Sequence, residues 1–398
     1  NSATETPHGL IFAGYDNNVN NRDARYKEYY ATITTLVGQC LKINDNNNVF
    51  LDEFNKELIL KLDPKMFNER VWLLPGVGFF GEDTGERKDI IKWLFIIFLI
   101  CFLLLIFDGY YQYFNKVSFF TGIDVGESRR ISSLFGTELI MGSYLSRLFP
   151  IFLGITFYLY KEKKGILILL SAIFVAIEVL IFLSGERASF FFNTLAAIYI
   201  IIMIKDFKKI RLFSFIASIV LIFLISNFDN AAKQRVVDET INQMGLKSEK
   251  KYVFSVVHQS HYISAYKMFL DNKILGIGVR NFRNFCNDDK YKINDRSCTT
   301  HPHNTYVQLL SETGLVGFVF GISVFIFFMI ISLKHLGGVI TKKRYLFNDF
   351  EICLLSAILI SIWPLVPTGN FLNNWVAIVY YFPVGFLLWS LNTRNINK

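Results

Sequence analysis

The chain has few of the side chains that build metal centres. Its 398 residues include five cysteines and six histidines, and no set of Cys or Glu residues stands at metal-ligand spacing. The acidic residues in polar stretches also lack a ligand pattern. They are Asp108, Asp124 and Glu127 in the first outer loop, and the pair Asp288 and Asp289. The sequence therefore disfavours a metal centre, although a His-x-His pair at 301 and 303, completed by His258 or His261, stays open as an alternative.

Apolar residues, by contrast, are abundant. They make up 52% of the chain, 41 of them are Phe, and the mean hydropathy is +0.36. They are concentrated in blocks of about 17–20 residues, the length of a helix that crosses the hydrocarbon core. The predicted segments are 91–107, 141–160, 165–183, 189–204, 212–228, 314–333, 351–366 and 374–391. The pattern predicts an all-α, polytopic transmembrane helical bundle over residues 89–391.

The net charge of +8 follows the same segments. Short clusters of Lys and Arg occur at every second connection between the apolar blocks, so all of them fall on one side of the membrane if the spans alternate. Such clusters are typical of cytoplasmic loops and give no reason to expect nucleic acid as a partner. Simple alternation then places residues 1–88 in the cytoplasm. The loops on the outer side are 108–140, 184–188, 229–313 and 367–373, of which 229–313 is too long for a tight turn.

Residues 1–88 are polar and carry no chemical motif. The segment begins at Asn1 without Met and without a signal-peptide pattern, so we expect a truncated chain or a foreign segment. Weak periodicity suggests amphipathic helices over Tyr26–Ile43 and Val49–Leu62, and the Gly-rich, charged stretch 75–87 suggests a linker.

Arginines recur at the predicted outer face. Arg129 and Arg130 lie in one loop, Arg147 lies within the outer part of an apolar segment, and Arg187 lies at a tight turn. Such residues are costly near a bilayer and pair with something. Salt bridges to Glu186, Glu138 or Glu178 and snorkelling are two explanations. Because guanidinium groups bind phosphate oxygens in bidentate geometry, the third is a diphosphate at the membrane surface.

The long loop holds the remaining chemistry. Cys286 and Cys298 stand twelve positions apart and could form a disulfide in an oxidising compartment. His303 is a candidate general base, since a neutral imidazole accepts a proton near pH 7. Asn304 is a candidate cap for the helix that follows. The cap and the base are compatible.

Four segments together resemble the O-antigen ligase and O-antigen polymerase superfamily. They are HPHNTYVQLLSETGLVG at 301–317, RRISSLFGTELIMGSYLSRL at 129–148, LSGERASFF at 183–191 and ILGIGVRNF at 274–282. They occur in the family's order, and the resemblance covers residues 91–391. The His-Asn segment is moderately specific alone, and the ordered set is much more so.

The resemblance implies a multi-span glycosyltransferase of the bacterial inner membrane. Such a protein moves a glycan from undecaprenyl diphosphate, on the periplasmic face, to a lipid A-core sugar or to another lipid-linked repeat, without a cofactor or metal. His303 matches the family's base and Arg187 its diphosphate-binding arginine. The further residues that we assign by the resemblance are Arg130, Arg147 and Arg280 for the diphosphate, and Asn304, Glu312 and His261 as supporting residues.

Two departures and two alternatives remain. The family usually has more spans, and a second loop arginine expected before the Gly-rich stretch is not evident; His258 or His261 stands near that place. A transporter of lipid-linked sugar is disfavoured because Glu178 is the only acidic residue deep in an apolar segment and no repeat is visible. Ligase and polymerase share a donor and leaving group, and we favour the ligase.

Overall fold

The structure, a computed structural model, describes residues 5–6, 9–10, 84–126, 130–228, 233–243, 254–342 and 345–396. Several features named in the sequence analysis lie outside these ranges. They are the predicted helices at 26–43 and 49–62, the part of the predicted linker that ends at residue 83, and the residues Glu127 and Arg129. The chain divides into two compact units, residues 1–89 and residues 90–398. In the first unit, β1 (Glu5–Thr6) pairs antiparallel with β2 (Gly9–Leu10).

The second unit is built from helices. In chain order they are α1 (Thr84–Asn115), α2 (Met141–Tyr160), α3 (Lys164–Leu183), α4 (Arg187–Met203), α5 (Lys208–Phe228), α6 (Glu239–Gln243), α7 (Val256–Asp271), α8 (Phe282–Phe285), α9 (Thr305–Thr341), α10 (Asp349–Ser361) and α11 (Asn374–Ile396). A 3-10 turn at Ser133–Phe135 precedes α2, and a π-helical turn at Gln234–Asp238 leads into α6.

Eight of these helices occupy the eight apolar segments. Within the described residues, three are long and apolar enough to cross a membrane: Ile90–Asn115 of α1, Lys208–Phe228 of α5 and Thr305–Thr341 of α9. Shorter apolar helices lie at Ile168–Leu183 and Arg187–Met203. The all-α membrane bundle predicted from the sequence is therefore confirmed as the fold class, and the protein is an integral membrane protein.

The core of the bundle is organised around α10. Almost every residue of this helix is buried, and it packs against α2, α4 and α11. Its start is fixed by a capping box, in which Asn348 and Glu351 each bind the other's backbone N–H. Glu351 is fully buried and also pairs with Arg394 at 3.0 Å, which ties α10 to α11.

The loop between α5 and α9 has a small core of its own. Ala265 and Met268 of α7 pack against Phe282 and Cys286. Cys286 is joined to Cys298 by a disulfide, with 4.9 Å between the two Cα atoms. This core gives the segment 254–304 a defined shape against the end of the bundle where α9 begins.

Gly276 and Gly314 mark where this loop crosses α9. Both have a left-handed φ, and a Cβ on Gly276 would lie 2.5 Å from the carbonyl carbon of Glu312 and from the Thr313 nitrogen. Main-chain N–H groups of Ile277 and Gly278 donate to Ser311 and Glu312 at 2.9 and 3.0 Å. Only glycine tolerates such an approach of two backbones with this φ. The crossing therefore fixes the Gly-rich stretch against α9.

Candidate functional site

The loop before α2 is shaped by two buried side chains of α1. Asp108 accepts hydrogen bonds from the hydroxyls of Ser118 and Ser133 and from the Phe119 N–H. Gln112 accepts from the N–H groups of Ser132 and Ser133. A buried carboxylate is stable only when its lone pairs are satisfied in this way. Asp108 therefore holds together two parts of the loop before α2, in which Arg130 lies.

Arg130 lies against the tight turn between α3 and α4. Its Nε donates to the Ser184 carbonyl at 3.0 Å. The turn passes through Gly185, whose φ is +68°. The following residue, Glu186, accepts hydrogen bonds from the Gly142 and Ser143 N–H groups at 2.6 and 3.0 Å. This turn therefore also caps the first turn of α2, whose free N–H groups need acceptors.

Three arginines converge at Gly185. A Cβ on this glycine would lie 3.0 Å from Cγ of Arg235 and 3.5 Å from Cγ of Arg130, and Arg187 follows two residues later. Arg187 donates to the Thr240 hydroxyl at 3.4 Å and lies within electrostatic reach of Arg235. Burial lowers the pKa of Arg130, and the charges of Arg235 and Arg187 lower it further while Glu186 opposes them. We call Arg130, Arg187 and Arg235 the arginine group.

Arg235 was missed in the sequence analysis. It lies in the π-helical turn, pairs with Glu239 at 3.0 Å, and has a buried Nε with no hydrogen-bond partner among the described residues. The signal was available, because Arg235 follows the apolar segment 212–228 on the same predicted face as Arg130 and Arg187. Its Arg-x-x-x-Glu spacing by itself indicates only a helical ion pair.

Arg147 and Arg280 occupy different surroundings. Arg147 is buried in α2, where it donates to Ser143 and lies over the Phe192 ring at 5.0 Å. Arg280 is exposed and donates to the Leu372 carbonyl at 2.5 Å. Neither has a described contact with the arginine group, so Arg147 supports the end of α2 and Arg280 binds the loop before α11.

Four histidines from α7 and from the segment before α9 gather near one another. The rings of His301 and His303 lie 4.2 Å apart, centroid to centroid, and His303 lies 5.4 Å from His261 and 5.7 Å from His258. We call these four residues the histidine cluster. His258 lies within electrostatic reach of Arg187. The histidine cluster and the arginine group are thus adjacent parts of one site.

The partners of the four imidazoles are mostly neutral oxygens. His258 Nδ1 lies 2.8 Å from the Ser255 hydroxyl, and His261 Nε2 lies 2.8 Å from the Arg296 carbonyl. His303 Nε2 lies 3.4 Å from the Thr299 hydroxyl. The Nδ1 atom of His261 is buried without a partner among the described residues. Neutral imidazoles satisfy these contacts, since each ring then offers one donor and one acceptor.

Burial sets the proton affinity of the cluster. Together with the positive charge that His301, His258 and His261 would carry, it lowers the pKa of His303 to about 3. The same cause lowers the pKa of His258 and of His301 to about 4. The four rings are therefore neutral at pH 7, and a proton gained by one of them makes the others harder to protonate.

His303 stands immediately before α9, with a left-handed φ of 58°. The next residue, Asn304, caps the helix, because its Oδ1 accepts from the N–H groups of Tyr306 and Val307 at 3.0 and 3.1 Å. The Asn304 Nδ2 donates to the Pro364 carbonyl, and the Thr368 N–H donates to the His303 carbonyl. The cap predicted for Asn304 is present, and it holds His303 at a helix N-terminus.

Glu312 lies further along α9 and is almost fully buried. Its carboxylate accepts from the Phe282 N–H at 3.2 Å and from the Gln308 side chain at 3.0 Å. Gln308 in turn bonds Asn370 and the Phe371 N–H. Glu312 therefore supports the site indirectly, by joining the Gly-rich stretch and the loop before α11 to α9.

The zinc alternative gains no support from this geometry. Among the residues that the structure describes, no three His, Cys, Asp or Glu side chains are arranged to hold a metal ion. The histidines approach each other by their ring faces and edges, and their nitrogens bond hydroxyls and carbonyls instead.

Comparison with known proteins agrees with the motifs. A family model described as O-antigen ligase matches residues 166–322, which include Arg187, Arg235 and the whole histidine cluster. No curated protein matches the chain. Residues 166–322 are therefore similar to the O-antigen ligase family, which agrees with the resemblance of the motifs.

Proposed function

We propose that this protein transfers a glycan from undecaprenyl diphosphate to a sugar hydroxyl on the periplasmic face of the bacterial inner membrane. The acceptor of a ligase is the lipid A-core. The observation that carries the proposal is that His258 lies 5.7 Å from His303, ring to ring, and within electrostatic reach of Arg187, so that a cationic group and a neutral base border one site.

The arginine group is the proposed diphosphate site. A diphosphate leaving group requires cations that are already in place, since its negative charge grows as the glycosidic bond breaks. Guanidinium groups suit this role because they stay charged and bind phosphate oxygens in pairs. Arg130 and Arg187, assigned by resemblance, remain proposals, and Arg235 joins them here. The assignments of Arg147 and Arg280 to the diphosphate stay predictions from the resemblance, and both side chains bond protein groups elsewhere in this structure.

His303 is the proposed base. The acceptor hydroxyl attacks the anomeric carbon, the bond from that carbon to the diphosphate oxygen breaks, and the hydroxyl proton passes to His303. Undecaprenyl diphosphate leaves with the bonding electrons, and attack opposite the leaving group inverts the anomeric centre. The negative diphosphate raises the pKa of His303 from its low value in the empty site, because an opposite charge nearby favours the protonated form. No metal or cofactor takes part in this scheme.

The other histidines are proposed supporting residues. His261 and His301 pack against the His303 ring and limit its orientation. Asn304 and Glu312 hold the helix end and the Gly-rich stretch on which the ring's position depends. A base contributes its full effect only when it is held at hydrogen-bonding distance from the proton that it removes.

A lipopolysaccharide gel tests the function. The source bacterium without this gene is complemented with the wild type or with His303→Ala. A ligase predicts loss of all sugar beyond the core with accumulation of lipid-linked polymer, and recovery only with the wild type. A core that carries a single repeat would instead indicate a polymerase. An unchanged ladder in the deletion strain would contradict both, and would favour another acceptor or a transporter.

A further inference from the structure

The exposed side of α7 is apolar. Between Val256 and Leu270, the exposed positions are Val256, Ile263, Tyr266 and Leu270. Successive residues of an α-helix are rotated by about 100°, so these four side chains fall within about 80° of the circumference. The buried face carries the polar residues Ser260, His261 and Ser264 beside Ala265 and Met268 of the loop core. This arrangement is the reverse of a helix whose free face lies in water.

The apolar surface continues past the end of α7. Ile274 and Leu275 are 69% and 72% exposed. The backbone here is bonded to α9, because the Leu315 N–H donates to the Lys273 carbonyl at 2.8 Å and the Val316 N–H donates to the Ile274 carbonyl at 3.4 Å. Leu315 and Val316 are themselves exposed. The exposed side chains of the loop and of α9 are therefore neighbours.

The neighbouring part of α9 indicates what covers this surface. The helix is among the described segments long and apolar enough to cross a membrane, and only 6% of its apolar window is buried inside the protein. Its exposed side chains Leu315, Val316, Val319 and Phe320 face lipid in a helix of this kind. An apolar face that is continuous with a lipid-facing surface has the bilayer as its natural partner.

We propose that the exposed face of α7, together with Ile274 and Leu275, rests in the boundary between the lipid headgroups and the acyl chains. The proposed partner is the lipid surface itself. Amphipathic helices bind this boundary with their apolar face about 5–10 Å deep. Lys267 and Lys273 flank the apolar residues and can extend their amines to lipid phosphates. The loop is then a surface-bound element as well as a connection between two spans.

A break in α9 separates this surface from the start of the helix. Val316 is bonded to Ile274, and Thr305 begins α9 eleven residues earlier. The backbone at Gly314 is not helical, with φ 65° and ψ −159°. The Tyr306 and Phe325 rings lie 6.3 Å apart, centroid to centroid, although residues 19 positions apart on a straight helix stand about 28 Å from each other. The segment before Gly314 therefore turns back beside the segment that follows it. The inference rests on membrane insertion alone and does not depend on the proposed reaction.

The test is a depth measurement in proteoliposomes. In a background with Cys40, Cys101 and Cys353 changed to Ser, single cysteines at Leu275→Cys or Tyr266→Cys carry an environment-sensitive NBD label. The matched control is Asn287→Cys, an exposed polar position beside the disulfide. We expect blue-shifted emission at 275 and 266, quenching by doxyl-labelled phospholipid, and protection from aqueous iodide. The label at 287 should show the opposite.

Two results would overturn the inference. If iodide quenches the labels at 275 and 266 as strongly as the label at 287, the face lies in water. If neither quencher reaches them, a protein surface such as a second copy of this chain covers the face. Two labelled positions on different elements separate a true depth from a local distortion at one of them.

Discussion

The imidazole rings of His258 and His303 lie 5.7 Å apart, although 45 residues separate them in the chain. His258 also lies within electrostatic reach of Arg187. A charge on a ligand bound by the arginine group therefore acts, across partly buried surroundings, on the proton affinity of the histidine cluster. In the proposed mechanism, binding of the donor and activation of the base are therefore coupled.

Removal of Arg235 should weaken donor binding. We expect Arg235→Ala to raise the KM for a lipid-linked donor at least tenfold, because one of three cations is lost where the diphosphate charge develops. Arg235→Lys should recover part of the loss, since it keeps the charge but not the paired donors. Initial rates in proteoliposomes over a range of donor concentrations measure both effects.

Glu239→Gln provides the matched control for Arg235. It removes the 3.0 Å ion pair with Arg235 but leaves the arginine in place. If Arg235 binds the donor, this variant should keep the KM or lower it. An Arg235→Ala protein with the wild-type KM, or a Glu239→Gln protein as impaired as Arg235→Ala, would show that the ion pair matters for structure alone.

The histidine cluster should make stability depend on pH. Burial holds the pKa of His258 and His301 near 4 and that of His303 near 3, below the value of about 6.5 in an unfolded chain. The unfolded state therefore binds more protons below pH 6.5, and the free energy of unfolding falls as the pH drops from about 6.5 toward 4. The apparent melting temperature in detergent should fall between pH 7 and pH 5, where most carboxylates remain ionised.

A variant of the cluster checks the source of that dependence. His258→Gln keeps a polar side chain that can reach Ser255 but cannot gain a proton. We expect its melting temperature to change less between pH 7 and pH 5 than that of the wild type. An equal pH dependence in both proteins would place its origin outside the cluster.

The crossing at Gly276 should not tolerate a side chain. We expect Gly276→Ala to destabilise the protein by several kcal/mol, because a Cβ would press on the backbone at Glu312 and Thr313 in a left-handed conformation that costs roughly 1–3 kcal/mol by itself. Gly337→Ala is the control, since its Cβ would meet open space within α9 and should stabilise by up to about 1 kcal/mol. Thermal unfolding compares the two, and equal stabilities would contradict the crossing.

The disulfide should stabilise the loop. It joins positions twelve residues apart, and loss of that closure costs about 3 kcal/mol on the chain-entropy estimate. We expect Cys286→Ser with Cys298→Ser to lower the melting temperature and to increase protease cleavage of residues 254–304. The reductant dithiothreitol should reproduce both effects in the wild type and none in the double variant. An unaltered wild type under reducing conditions would contradict this role.

The helices in the apolar segments were predicted well from the sequence, because the length and composition of each segment indicate a helix without knowledge of tertiary contacts. The segment 141–160 coincides with α2, and 165–183 differs from α3 by one residue at its start. Bilayer length and composition are sufficient for such predictions. The cap at Asn304 was equally visible, since the residue type and its position before an apolar helix indicate it. The sides of the membrane, the role of residues 1–88 and the remaining spans stay predictions.

The site was only partly predictable because its members come from distant parts of the chain. Arg130, Arg187 and His303 were found through motifs. Arg235 carries no motif, and its place beside Gly185 depends on how the loop after α5 folds back. Arg280 was assigned by the resemblance as the nearest arginine downstream of the place where a second loop arginine is expected, and its side chain bonds the Leu372 carbonyl. Side-chain direction in a loop follows from tertiary contacts that local spacing does not contain.

The most direct measurement of the central claim separates binding from transfer in one preparation. Purified wild type and His303→Gln are reconstituted with a lipid-linked glycan donor, and donor binding and single-turnover transfer to the acceptor are measured in parallel. We predict unchanged donor binding and a transfer rate lower by about 10²–10⁴, the usual contribution of a positioned general base. Transfer by His303→Gln within a few-fold of the wild type would contradict the account.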